Sequence, residues 1–353
     1  MSPEASIGEL HSRRPEVRFK ISAIRLTGLL CLFFSIAWGL GYPTLNRYDP
    51  RNIAGLTDVR GYAALVTGAT NPGPEHLQFR ALVPWIARPF YRLAIGRSGS
   101  WDPVMFGLLA SDSMFVAATA VLIIVLGTRK LGSYTVSMVA SLLYLVNFCV
   151  PNLRLAGLVD AGEGFFLLGL LWSLSEPAFW LLPLIVALGT ATKESFVAFS
   201  IALTAAWWIV EGKRSRSSAA SAMWILSSWI VSFAVLTGLH LWIAGRLESP
   251  IEFAVSLHGN HDYLLHVVSS LWDRDFWYVF VWLLPTGIPK LKRFPKSWLI
   301  PIGATALVAF VLDAYYGGAP GTVGRALFSI AGPVLALSSA MLLLDDKHCE
   351  LTS

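Results

Sequence analysis

The sequence predicts an all-α polytopic membrane protein with about ten transmembrane helices and amphipathic juxtamembrane helices in its first outer loop. Three observations predict it. Hydrophobic residues make up 55% of the 353 and charged residues only 14%, whereas a soluble domain carries about 25% charged residues to cover its surface. The mean hydropathy is +0.60. The apolar residues fall in long runs between short polar connections, and about 20 such residues cross a bilayer as a helix. Fourteen Trp and twenty Phe suit a chain with many membrane interfaces. The formal charge of +5 and the pI near 9.2 then belong to topology and anionic lipid, with no nucleic-acid partner implied. Cys31, Cys149 and Cys349 show no paired spacing, so neither a disulfide framework nor a metal knuckle is expected.

Residues 1–25 read as a cytoplasmic basic N-terminus. Arg13, Arg14, Arg18, Lys20 and Arg25 precede a first span at about 26–42 and hold that end inside. No small-residue cleavage site follows, so this span is expected to stay as an anchor. Residues 43–102 then form a long outer loop. The chain returns through 103–127 to Thr128-Arg129-Lys130, and goes out and back through 131–150 and 155–175 to Ser175-Glu176-Pro177. The stretch 178–210 reads as one long helix or as two short spans broken at Thr192-Lys193-Glu194-Ser195. Two spans return the basic stretch 211–218 to the cytoplasm, which the positive-inside bias favours. Each half is short for a square crossing, a geometry tolerated where a broken helix lines a protein-walled cavity.

The remaining spans alternate: 219–243 out, 276–289 back to Lys290, Lys292, Arg293 and Lys296, 297–316 out, and 326–344 in to a tail at 345–353. Residues 26–344 thus form a single transmembrane domain. Of the lysines, only Lys193 falls outside the cytoplasmic side. A bacterial inner membrane, with both chain ends cytoplasmic, fits the brief loops.

This threading gathers the unusual charges at one face. Asp112, Asp160, Glu163, Lys193, Glu194, Asp313 and Arg325 all fall toward the outer ends of their spans. Ionisable groups at mid-bilayer cost on the order of 2.5–3.5 kcal/mol each and usually face a cavity or one another. A water-accessible outer chamber is one reading, and helix-end charges snorkelling to the headgroups is the other. Asp160 and Glu163 share one helix face at i,i+3. They repel unless a cation, an arginine or a shared proton intervenes; Lys193 and Arg325 are the candidates.

In the outer loop, TDVRGYAALVTG (57–68) predicts a short helix with Thr57 as N-cap and Asp58 in its first turn. Arg80, Arg88 and Arg92 lie at steps of eight and four among Leu82, Val83, Trp85, Ile86, Phe90 and Tyr91, which predicts an interfacial amphipathic helix bent at Pro84 and Pro89. Arginine forks bind phosphate oxygens bidentately, so a lipid phosphate is a natural partner, as is plain anionic phospholipid. His258 and His261 at i,i+3, with Asp262 adjacent, could be two legs of a metal site that lacks a clear third ligand, or ordinary polar residues of a loop. His240, alone on an apolar span, reads as a packing histidine.

The layout of this first loop resembles that of the GT-C superfamily of membrane glycosyltransferases, which includes the aminoarabinose and protein O-mannosyl transferases. The residues that carry the resemblance are Asp58 four before Tyr62-Ala63, the juxtamembrane Arg80 and Pro84, and the Lys193-Glu194 pair at a span's outer end. The resemblance implies a polyprenyl-phosphate-sugar donor, a glycan or lipid acceptor, and transfer on the non-cytoplasmic face. Asp58 would then be the general base, with Asp160 and Glu163 assisting. Asp49, Tyr62, Arg80, Arg88, Lys193, Glu194 and Arg325 would hold substrate and lipid phosphate, a divalent cation remaining possible. Many members carry a second acid directly after the loop Asp, where this chain has Val59, and Asp49 competes with Asp58 for the base role. A transporter or flippase of a lipid-linked or anionic solute, or a non-catalytic scaffold for envelope assembly, would share the hydrophobic pattern; alternating access usually also places polar groups toward the cytoplasmic half.

Overall fold

A computed structural model describes residues 22–47, 57–68, 77–212, 218–245, 263–316 and 322–344. Of these, 85% are helical and none forms a strand. Among the described residues six helices are long and apolar enough to cross a membrane, so the protein is an integral membrane protein whose described part is all-α. Asp49, His258, His261, Asp262, the basic residues before Ser22 and the tail at 345–353 lie outside the described residues.

Besides a single helical turn at Thr44–Arg47, the helices among the described residues are α1 (Ala23–Gly41), α2 (Thr57–Thr67), α3 (Leu82–Ala94), α4 (Pro103–Leu131), α5 (Tyr134–Val146), α6 (Asp160–Ser175), α7 (Leu182–Thr192), α8 (Ser195–Trp207), α9 (Ser218–Ala244), α10 (Tyr263–Leu271), α11 (Arg274–Phe280), α12 (Leu283–Leu291), α13 (Lys296–Tyr316) and α14 (Thr322–Leu343). Two of them make the core. α4 is packed by α1, α3, α5 and α6, and α14 by α5, α6, α12 and α13. Both are lined almost throughout by buried residues, whereas α1 and α9 turn most of their surface outward. That division is what a bilayer asks for: apolar residues on every face, with the inner helices packed against protein and the outer ones against lipid.

Local chemistry explains the helix ends. Asp102 caps α4, accepting from the N–H groups of Val104 and Met105 at 2.8 and 3.1 Å, and Pro103 occupies the first position, where a missing N–H costs nothing. Gly132 ends α4 in the left-handed region at φ 69°, a conformation glycine adopts without strain.

The structure departs from the sequence reading at several boundaries. The expected span 276–289 is two short helices, α11 and α12, meeting at Val281 and Trp282. Pro285 is the reason, because its ring removes a donor and crowds the carbonyl four residues back. The expected span 155–175 becomes helical only at Asp160; residues 155–159 are irregular yet buried. The stretch 244–275, read as a polar loop, contains α10, which periodicity did not announce. Helix α2 begins at Thr57 itself, so the expected N-cap is its first residue. The chain does break at Lys193, which is extended (φ −161°, ψ 138°) between α7 and α8.

Candidate functional site

Five separate pieces of chain bring their charges together at one end of the bundle. They are the first turns of α2, α6 and α14, the turn before α3, and the α7–α8 break. The centre is Lys193, whose ammonium donates to Asp160 Oδ1 at 2.7 Å and Glu163 Oε2 at 3.3 Å. Ser195 adds a hydrogen bond to Glu163 Oε1 at 2.5 Å, and Arg325 Nη1 donates to Asp160 Oδ2 at 3.2 Å. The i,i+3 carboxylates are therefore neutralised by both candidate cations at once.

This convergence needs close backbone approach. Gly162 sits between the two acids, and a Cβ there would come within 2.9 Å of the Thr192 methyl and 3.1 Å of Val83. A hydrogen at that position lets α6 close on the end of α7, which carries Lys193 to the carboxylates. The break in the chain matters equally. In a continuous helix Lys193 and Glu194 would point about 100° apart and leave one of them in the packing interface; the extended residue aims the two at different partners.

Glu194 faces the turn before α3 and takes Arg80 in a two-toothed grip, with Nε to Oε2 at 2.8 Å and Nη2 on Oε1. Arg80 Nη1 also donates to the Tyr62 hydroxyl at 3.1 Å and stands 3.6 Å from Asp58 Oδ2. Burial pushes the Tyr62 phenol up to about 12, the Arg80 charge beside it pulling the other way, so it remains a phenol at neutral pH. The expected stripe Arg80–Arg88–Arg92 is corrected here. Arg80 precedes the helix, its N–H bonded to the Leu77 carbonyl in a tight turn, and it swings away to Glu194. Arg88 does not join the charged group; its Nε donates to the Leu65 carbonyl at 2.9 Å and ties α3 to the end of α2.

The four carboxylates differ in access. Glu163 and Asp160 side chains are 0% and 4% exposed and Glu194 is 17%, whereas Asp58 is 36%. Asp58 is thus the carboxylate that solvent or substrate can reach, and its nearest described charge is beyond hydrogen-bond distance. The cations differ too. Arg80 and Lys193 are committed to carboxylates, while Arg325 has one described hydrogen bond, through Nη1, and a side chain 17% exposed.

Sequence reasoning missed one charged residue. Arg154 lies in a short π-turn before α6 and is wholly buried. It donates to the Tyr144 hydroxyl at 2.5 Å and to Ser329 Oγ at 2.9 Å, and sits 4.8 Å from the Phe328 ring centroid. In sequence it resembles any loop arginine beside Pro151 and Asn152; only the buried turn distinguishes it. Asp112 is also wholly buried; both its oxygens lack a hydrogen bond, the Gly157 N–H nearby falling short of good geometry. Asp313 stands apart from the network, accepting from Ser270 at 2.7 Å. His240 is buried and stacked on Phe79 at 3.6 Å, as a packing histidine should be.

Among the described residues no three His, Cys, Asp or Glu side chains are placed to hold a metal ion. The arrangement offers an open carboxylate at Asp58, which can accept a proton, and a partly exposed guanidinium at Arg325, which can meet an anion. Comparison of the chain with protein-family models, with curated proteins and with solved structures finds no match.

Proposed function

We propose that the protein transfers a sugar from a polyprenyl-phosphate donor to a hydroxyl acceptor, a glycan or lipid, at the outer face of a bacterial inner membrane. The reading places ten spans across the bilayer, with α7 and α8 as two short ones, the pair α11 and α12 as another, and both chain ends inside. One observation carries it: an accessible carboxylate, Asp58, and an arginine with one described hydrogen bond, Arg325, stand in two ion-pair clusters that the adjacent residues Lys193 and Glu194 join.

The chemistry follows from that pairing. Asp58 takes the proton of the acceptor hydroxyl as its oxygen attacks the anomeric carbon. The bond from that carbon to the phosphate oxygen breaks, and the leaving polyprenyl phosphate keeps the electron pair. Arg325 meets the charge developing on it, in a site where fixed donors need no reorganisation. Asp160, Glu163 and Lys193 hold Arg325 in place, and Arg80 with Tyr62 and Glu194 holds the helix that presents Asp58.

Reconstitution in nanodiscs with a panel of radiolabelled polyprenyl-phosphate sugars tests the proposal. Release of labelled sugar to acceptor, together with a loss of donor affinity in Arg325→Gln, is expected. Absence of turnover with every donor, or transport of the intact lipid instead, would overturn it.

A further inference from the structure

Arg154 is a buried charge that the proposed chemistry leaves unused, and its position is informative. Its partner Ser329 lies one helical turn after Arg325 on α14. Its other flank is Gly164, one turn after Asp160 on α6. The Arg325–Asp160 ion pair and the Ser329–Arg154–Gly164 contact are therefore successive layers between the same two helices. In the lower layer the guanidinium fills the gap completely. A Cβ on Gly164 would lie 2.6 Å from Nη2, 2.7 Å from Nη1 and 2.9 Å from Cζ. The group cannot retreat, because the Phe328 and Tyr144 rings stand 4.8 and 5.5 Å from Cζ and the Tyr144 hydroxyl holds Nη1. A planar fork boxed in on every side is a rigid spacer, where a lysine would be a flexible point charge.

We infer that Arg154 is a positioning residue: wedged between α6 and α14, it sets their separation and hence the geometry of Arg325 against Asp160 one turn above. The inference rests on the proposed role of Arg325 only for its functional consequence; the spacing itself is a property of the fold. It also assigns a reason for glycine at 164, since any larger residue displaces the wedge.

The test is a cycle built on Gly164→Ala and Arg325→Gln, with thermal unfolding and polyprenyl-phosphate binding both measured in nanodiscs. Ser329→Ala serves as a gentler variant that removes one hydrogen bond and no volume. In the Gly164→Ala background, the unfolding shift caused by Arg325→Gln is expected to fall to less than roughly half its wild-type value, because the ion pair is already displaced. Strictly additive shifts in both the Gly164→Ala and Ser329→Ala backgrounds would overturn the inference. Binding separates the two ideas. Gly164→Ala and Arg325→Gln are each expected to weaken polyprenyl-phosphate binding roughly tenfold, the double variant no more than either. If Arg325→Gln leaves that binding intact while the unfolding cycle is non-additive, the phosphate role fails and the positioning role stands.

Discussion

Lys193 offers the sharpest perturbation. Its ammonium touches Asp160 and Glu163 at 2.7 and 3.3 Å, so the two acceptor oxygens lie no more than about 6 Å apart. At an effective dielectric of about 20, two like charges at that distance repel by about 3 kcal/mol. Lys193→Met removes the cation and leaves the repulsion, with the Glu163 side chain fully buried and Asp160 nearly so. Breaking a buried pair by deleting one partner typically costs about 3–5 kcal/mol, which agrees with the Coulomb figure. The remaining support is Arg325 on Asp160 and Ser195 on Glu163; neither lies between the two acids. Lys193→Met should therefore unfold at a clearly lower temperature than the wild type in the same nanodisc. Adding Glu163→Gln removes one of the two like charges and should recover most of the loss. Scanning fluorimetry of the single and double variants decides the matter. A single variant as stable as the wild type, or a double variant less stable than the single, would refute the account of the pair.

Other consequences are smaller or opposite in sign. Asp112→Asn should unfold no lower than the wild type, because it replaces a buried, unpartnered carboxylate by a neutral isostere; a large loss of thermal stability would show that the charge is needed. At the other end of the bundle Arg129 pairs with Glu176 at 2.6 Å, but its side chain is 44% exposed. Such pairs contribute about 0–1 kcal/mol, so Arg129→Ala should shift the unfolding midpoint little and high salt should shift it no further. Tyr62 gives a pH dependence. Its folded pKa near 12 exceeds the ordinary value of 10.0, so the folded state holds that proton longer and the associated stability is lost as pH rises from about 10 through 12. Tyr62→Phe should flatten that part of the stability curve, and an unchanged alkaline slope would contradict it.

Hydropathy made much of this fold legible. The long apolar runs at 103–127, 219–243 and 297–316 became α4, α9 and α13 within a few residues, because a run of that length has no soluble alternative. The break at Lys193-Glu194 was one of two readings of the stretch 178–210, and the basic residues after it favoured that reading over one long helix. Pro285 defeated the same reasoning at 276–289, since the apolar pattern continues through a residue that cannot continue the helix. In the site, i,i+3 spacing put Asp160 and Glu163 on one face. That Lys193 and Arg325 both reach them depends on contacts across 33 and 165 residues of sequence, which no local pattern encodes. Arg80 shows the limit from the other side. Its spacing to Arg88 and Arg92 suggested one helical stripe, yet its grip on Glu194 and Tyr62 outweighs the propensity to extend α3 by one more turn. Arg154 was illegible for a simpler reason: a charge three residues after a proline between two spans ordinarily means a solvated loop, and only the packing of α5, α6 and α14 buries it.

The most direct test of the account compares wild type with Asp58→Asn, measuring donor binding and single-turnover sugar transfer on the same nanodisc preparation. The account predicts donor affinity within about twofold of wild type and a loss of transfer of at least roughly 10²-fold, the usual range for removing a general base. Transfer at the wild-type rate with Asp58→Asn would contradict it and move the proton acceptor elsewhere in the network.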